Sequence, residues 1–113
     1  MFAKIEKKHR KAGVTISVSR AGKSLRTTVA FPESTYAYMG YPKKVESLVG
    51  NGDDRGRLML RPSDEGYAVR RIKDRYNVIL PNFSNAEDTY RAQETNVDLE
   101  DTALIIDLPD YME

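Results

Sequence analysis

The stretch from Val14 to Pro62, VTISVSRAGKSLRTTVAFPESTYAYMGYPKKVESLVGNGDDRGRLMLRP, decides the fold class because its hydrophobic period changes at identifiable breaks. Val14 to Ser19 (VTISVS) alternates apolar with small polar residues, the period-two pattern of a strand with one buried face. Arg20-Ala21-Gly22-Lys23 supplies a glycine-containing turn, and Leu25 to Phe31 (LRTTVAF) is a second run rich in β-formers. It stops at Pro32, which cannot donate a ladder hydrogen bond but suits the first turn of a helix. PESTYAYM is therefore expected to be a short helix, with Glu33 at its positive end, Gly40 as its cap and Pro42 beyond. Lys44 to Val49 alternates again, placing Val45, Ser47 and Val49 on one face. Gly50 to Gly56 has the Asn-Gly chemistry of a hairpin connection, and Arg57 to Arg61 returns as a strand ending at Pro62.

Outward from this block, Asp64-Glu65-Gly66 reads as a turn. Two more short strands follow at Tyr67–Ile72 and Tyr76–Leu80, separated by Lys73-Asp74-Arg75 and closed by Pro81. Ser84-Asn85-Ala86-Glu87 fits a capping box and predicts a helix through about Gln93. Thr102 to Leu108 (TALIIDL) is a compact apolar segment before Pro109. The expected organisation is a basic N-terminal arm at 1–13, a β-rich domain at 14–82 carrying an added hairpin, and an acidic C-terminal segment at 83–113.

The length of 113 residues fits one domain. The formal net charge of +1 hides an asymmetry: residues 1–82 carry 17 Lys/Arg against 8 Asp/Glu, whereas residues 83–113 carry 1 against 9. Such a division points to electrostatic partners. With no cysteine there is no disulfide framework and no thiolate nucleophile. No apolar run approaches the roughly 20 residues that span a bilayer, and Met1 to Lys11 lacks a secretory h-region. A cytoplasmic protein without membrane partners is the expectation.

Catalysis is not expected; the one enzyme class left open is a small ribonuclease working with Arg, Lys and Tyr alone. His9 is the sole histidine, so neither a histidine metal pair nor a well-placed triad can be built, and no cofactor or metal is implied. The carboxylate pairs, Asp53-Asp54, Asp64-Glu65, Glu87-Asp88 and Glu100-Asp101, are sequence neighbours, which on a strand point to opposite faces. Phosphate binding has better candidates. Lys4, Lys7, Lys8, Arg10 and Lys11 form the arm, Arg20, Lys23 and Arg26 surround the first glycine turn, and Arg57, Arg61, Arg70, Arg71, Lys73 and Arg75 follow in later strands. The alternative for the later group is that these cations occupy solvent faces and discourage edge pairing. Tyr36, Tyr38 and Tyr41 do not form one helical stripe, and packing is their expected role.

The order of RTTVAFP, ESTYAYMGYP and KKVESLVGNGDDRGRLMLRP resembles the AbrB/MazE/SpoVT swapped-hairpin domain. That resemblance implies a mainly β, small barrel-like homodimer of interleaved hairpins with one short helix per chain. By position it makes Arg20, Lys23 and Arg26 the DNA contacts and puts Tyr36, Met39, Val45, Val49, Leu58 and Leu60 in the dimer core. Leu25-Arg26 and Lys43-Lys44 stand where the family usually has glycine and Gly-Asp.

The acidic segment resembles the toxin-wrapping tail of such antitoxins, with Asp98, Glu100, Asp101, Leu104, Ile105, Ile106 and Asp107 as its partner-binding residues. The other reading, preferred because four apolar residues in a row are costly to leave exposed, adds TALIIDL as a strand to its own domain while the acids solubilise it. The functional expectation is a non-catalytic, dimeric regulator or antitoxin-like protein that binds double-stranded DNA through Lys7, Lys8, Arg10, Lys11, Arg20, Lys23 and Arg26. The alternative is a phage- or plasmid-type inhibitor, for example an anti-CRISPR, that meets a basic protein through residues 83–113.

Overall fold

In the computed structural model, which describes residues 10–50, 56–81, 88–109 and 112, the chain is mainly β with one short helix. Strands β1 (Arg10–Ala21) and β2 (Ser24–Pro32) lead into helix α1 (Glu33–Tyr38). Strands β3 (Lys44–Val49), β4 (Arg57–Pro62), β5 (Tyr67–Ala68), β6 (Arg70–Ile72), β7 (Arg75–Pro81), β8 (Tyr90–Glu100) and β9 (Ala103–Asp107) follow. All pair antiparallel in a single sheet of order β5-β3-β4-β9-β8-β1-β2-β7-β6. The two outermost strands are consecutive in the chain, with only Val69 between them, and the Val69 N–H donates to the Lys43 carbonyl at 2.9 Å. The sheet therefore nearly closes on itself as a barrel-like layer, leaving little edge exposed.

The local elements of 14–62 follow from the pattern. Register Ala21↔Ser24 leaves Gly22-Lys23 as a two-residue loop, with Gly22 at φ +64°. Val14, Ile16 and Val18 of β1 face inward with Val29 and Phe31 of β2. Helix α1 ends as expected, with Gly40 at φ +84°, and it buries Thr35 and the following Met39 at one end of the barrel. Strands β3 and β4 pair up to Val49↔Leu58, and the Gly50 N–H donates to the Arg57 carbonyl at 2.8 Å; the turn residues 51–55 lie outside the described residues. Of the expected face, Val45 is buried, but Val49 at the hairpin end is half exposed.

Two expectations change, and the structure distinguishes the two readings of the acidic segment. Tyr67–Ile72 is not one strand but two: its first residues pair with β3 and its last with β7. The break falls at Val69, whereas Gly66 lets the preceding turn lie close against β3: at φ +128°, a Cβ there would sit 2.3 Å from the Val45 carbonyl oxygen. The helix expected through Gln93 is also replaced. Residues 84–87 lie outside the described region, but Tyr90–Gln93 belong to β8, in the same strand as inward-facing Thr95, Val97 and Leu99. Sheet pairing on both sides of β8 outweighs a local capping signal.

Of the two readings of the acidic segment, the one that adds TALIIDL as a strand to its own domain matches the sheet: β9 lies between β4 and β8, and β8 also pairs with β1. Residues 90–107 are thus the centre of the sheet rather than an appendage. Asp101 and Thr102, at φ +49° and +68°, form the tight turn joining the two strands at Glu100↔Ala103.

The interior holds Leu58, Leu60, Val78, Leu80, Val97, Leu104, Ile106, Leu108 and Met112 beside the residues already named. Two of its polar atoms, Thr27 Oγ1 and Thr95 Oγ1, are buried without a hydrogen-bond partner. Since an orphaned hydroxyl costs about 1 kcal/mol or more, Thr27→Val should raise the urea midpoint, with a gain of about 1 kcal/mol at unchanged m-value. Leu104→Ala should lower stability by about 2–5 kcal/mol in the same titration. A chain ending at Thr89 loses both central strands and is expected to show no cooperative unfolding transition.

Candidate nucleic-acid interface

The sequence asymmetry becomes a spatial one. Four adjacent strands, β1, β2, β7 and β6, with the turns joining β1 to β2 and β6 to β7, carry nine Lys/Arg and one acid, Asp74. Along β2 the inward residues are Thr27, Val29 and Phe31, so Arg26 and Thr28 face out. Arg26 lies opposite Pro81 of β7, and Arg70 of β6 lies opposite Asn77 of the same strand. A shallow groove is lined by Arg20, Lys23, Arg26 and Pro81, and a neighbouring one by Arg26, Tyr67, Arg70 and Ile79. Arg26 is common to both, so the cations form one continuous strip.

The expected arm residues divide. Lys7 and Lys8 lie outside the described residues, whereas Arg10 and Lys11 open β1 and pair with Val97 and Asn96 of β8. Arg20 stands 4.0 Å from Asp88, with both side chains more than half exposed, so solvent screening leaves that pair weak. Lys23 and Arg26 are exposed and form no ion pair with the described residues. Arg75 is committed elsewhere: its guanidinium donates to the carbonyls of Gly13 at 2.5 Å and Ala30 at 3.0 Å. Those carbonyls lie where the β1 bulge at Gly13 (φ +75°) meets the proline end of β2, and Gly13 N–H in turn donates to Glu94 at 3.0 Å. Arg75 is a fastener, not a free phosphate ligand.

The residues expected to bind a protein partner are dispersed by the same geometry. Leu104 and Ile106 are fully buried inside the barrel, and Ile105 is nearly so on the opposite face. Asp98 accepts a hydrogen bond from Arg57 at 3.0 Å, and Asp107 lies 3.8 Å from the same guanidinium. This cross-strand tie links β4, β9 and β8. Glu46 of β3 pairs similarly with Arg61 of β4. Of the expected set, Glu100 and Asp101 remain exposed, Glu100 beside a groove lined by Leu48, Val49, Met59 and Ile105. Sequence reasoning placed Arg57 and Arg61 among the positive candidates. The register Arg57↔Asp107 and Glu46↔Arg61, which would have paired them, depends on strand order.

An aromatic cluster sits at the proline end of β2. Tyr36 of α1 packs 4.1 Å from Tyr76 of β7 and 6.1 Å from Phe31, measured between ring centroids. Tyr41 meets Tyr36 edge to face at 5.3 Å and 85°. The Tyr36 hydroxyl donates to the Pro42 carbonyl at 2.7 Å, and the Tyr41 hydroxyl to Glu33 at 2.7 Å. Burial, and secondarily Tyr76, pushes the Tyr36 phenol above its ordinary value. The Tyr41 phenol is raised chiefly by its bond to Glu33. Packing, the expected role, describes Tyr36; Tyr38 and Tyr41 are exposed at 44% and 55%.

Among the described residues, no group of three or more His, Cys, Asp or Glu could hold a metal ion, and no helix is long and apolar enough to cross a membrane. Compared with known proteins, the chain matches no family model, no curated protein and no solved structure.

The raised Tyr36 pKa fixes the sign of an alkaline response. The unfolded chain ionises this phenol first, so the contribution is complete below about pH 10 and is lost as pH rises through the folded value. Thermal unfolding followed between pH 8 and pH 11 should show a fall above pH 10 that is smaller in Tyr36→Phe.

Proposed function

We propose that this chain is a non-catalytic DNA-binding protein, of the transcription-regulator or antitoxin type, working in the cytoplasm through the outer face of β1, β2, β7 and β6. The observation that carries the reading is the strip Arg20, Lys23, Arg26 and Arg70, continuous across neighbouring strands in a wall with a single acid. Arginine forks and lysine ammonium groups held on a stiff sheet can meet successive phosphates without first ordering a loop. The acidic residues that would oppose DNA are held largely on the other wall, where Arg57 and Arg61 offset several of them.

The AbrB-like resemblance implies a homodimer. Hairpin β1–β2 has β8 and β7 as neighbours, and hairpin β3–β4 has β9 and β5. A dimer that keeps these pairings would join side-chain faces and would not interleave hairpins as the AbrB-like domain does.

The inhibitor reading draws on one observation, the exposed Glu100 beside Leu48, Val49 and Met59. Its proposed apolar anchor is already used inside the sheet.

Binding of a fluorescent duplex should weaken with salt with a log–log slope of about −3 to −4, since each phosphate contacted contributes about −0.9 and the strip offers four cations. Lys23→Glu combined with Arg26→Glu should reduce affinity at least tenfold, whereas Glu100→Gln should leave it unchanged. Absence of duplex binding at low salt by the folded protein would refute the reading.

A further inference from the structure

The outer face of the wall away from the cations carries a row of apolar side chains. Leu58 and Leu60 of β4 and Leu104 and Ile106 of β9 point inward, so Arg57, Met59 and Arg61, and likewise Ile105 and Asp107, face out. The register Leu48↔Met59↔Ile105 sets three of the apolar residues side by side across β3, β4 and β9, a row about 10 Å wide. Val49 completes the apolar lining of the groove over this row. Leu48 and Val49 are 39% and 50% exposed. At outward positions of β1 and β2 stand Thr15, Ser17, Ser19, Arg26 and Thr28, so a water-facing wall of this sheet does not require apolar residues.

Charged residues flank the row on both sides, and each flank holds both signs. On one side lie Glu46 of β3 and Arg61 of β4, directly opposite each other and ion-paired. On the other side lie Arg57 of β4 and Asp107 of β9, also opposite each other and 3.8 Å apart. Asp98, at the β8 end of the row, is bonded to the same Arg57. A uniformly basic partner would meet two guanidinium groups here, and a uniformly acidic one would meet carboxylates. A surface with both signs on either side of an apolar centre is instead complementary to itself when turned end over end.

We propose that this face joins two copies of the chain, packed outer face to outer face about a two-fold axis lying along the row of Leu48, Met59 and Ile105. Each of the three then meets its own counterpart, and the flank of Glu46 and Arg61 in one copy lies over the flank of Arg57 and Asp107 in the other. One strand to the side, Glu46 is next to the partner's Arg57, and Arg61 next to the partner's Asp107. Sheets packed face to face stand about 10 Å apart with side chains interdigitated, so no strand is exchanged. The proposal rests on the homodimer that the AbrB-like resemblance implies and gives it a face. The cationic strip, on β1, β2, β7 and β6, stays open on each copy.

The test is sedimentation equilibrium of the full chain over about 1–100 μM, the range in which modest interfaces dissociate. Wild-type protein should approach twice the chain mass at the upper end. Leu48→Glu and Leu48→Lys each put like charges face to face across the two-fold, so each alone should weaken dimerisation by about tenfold or more. An equal mixture of the two should regain a dimer, because the opposite charges then meet. Circular dichroism establishes that each variant is folded, and binding of a fluorescent duplex is measured in parallel. A wild type that stays monomeric overturns the proposal, and its duplex binding decides separately whether the DNA reading stands. An unchanged dimer in both single variants also overturns it, and leaves the homodimer to another face. Monomeric variants that do not reassociate when mixed overturn the two-fold arrangement. Binding of an oligolysine peptide by a monomeric wild type, lost in Glu100→Gln, would give the face to a basic partner instead.

Discussion

The placement of β9 between β4 and β8 is the constraint on which the remaining structure depends. Leu104 faces Leu60 and Leu99 across the two ladders, and Ile106 faces Leu58 and Val97. Through these pairs, hairpin β3–β4 is joined to hairpin β1–β2, which are otherwise separated in the sheet. Full burial of a leucine or isoleucine side chain contributes about 1.5–3 kcal/mol, and both residues are completely buried. Without this strand the two hairpins would each expose an apolar face and an unpaired edge. With it, the short pieces β5 and β6 can bring the two ends of the sheet together across Val69.

The same placement organises charge. With β9 beside β4 and β8 next beyond it, Asp107 and Asp98 both come within reach of Arg57, while the more basic strands lie together at the opposite end of the strand order. A partly buried guanidinium serving two carboxylates is better sheltered than an isolated surface pair, so its geometry favours one register of three strands. The cations of β2 and β6 have no comparable acids on neighbouring strands, and that contrast gives the positive strip its chemical character. The aromatic end near α1 is distinct again, held by ring contacts and hydroxyl bonds.

Much of the fold was legible in short-range pattern. VTISVS, LRTTVAF and KVESLV alternate with period two, prolines mark strand ends, and Gly22 and Gly40 occupy the positive-φ positions that their turns require. Such signals are local because they concern the faces and dihedral angles of consecutive residues. Of the candidate site, Arg20, Lys23 and Arg26 were legible from their clustering around one turn. Arg70 acquired its place beside Arg26 only through the pairing of β7 with both β2 and β6. The exposure of Tyr41 was not legible, because nothing in PESTYAYMGYP distinguishes its ring from that of Tyr36. The brace between Glu33 and Tyr36 comes from the chain reversing after Gly40.

The acidic segment separates the two levels most clearly. Composition identified its charge, and TALIIDL identified an apolar segment in need of cover, but either a partner or the chain itself could supply that cover. The capping-box signal at Ser84–Glu87 favoured a helix because it registers only four residues, whereas β8 is stabilised by neighbours far away in sequence. By itself, then, the sequence determined where strands could form, where turns must occur and how charge is divided along the chain. Only the tertiary structure decided that the acidic segment lies at the centre of the sheet and that Arg57 faces its carboxylates. The physical reason is that strand order and register arise from long-range burial and pairing, quantities that no local window of residues contains.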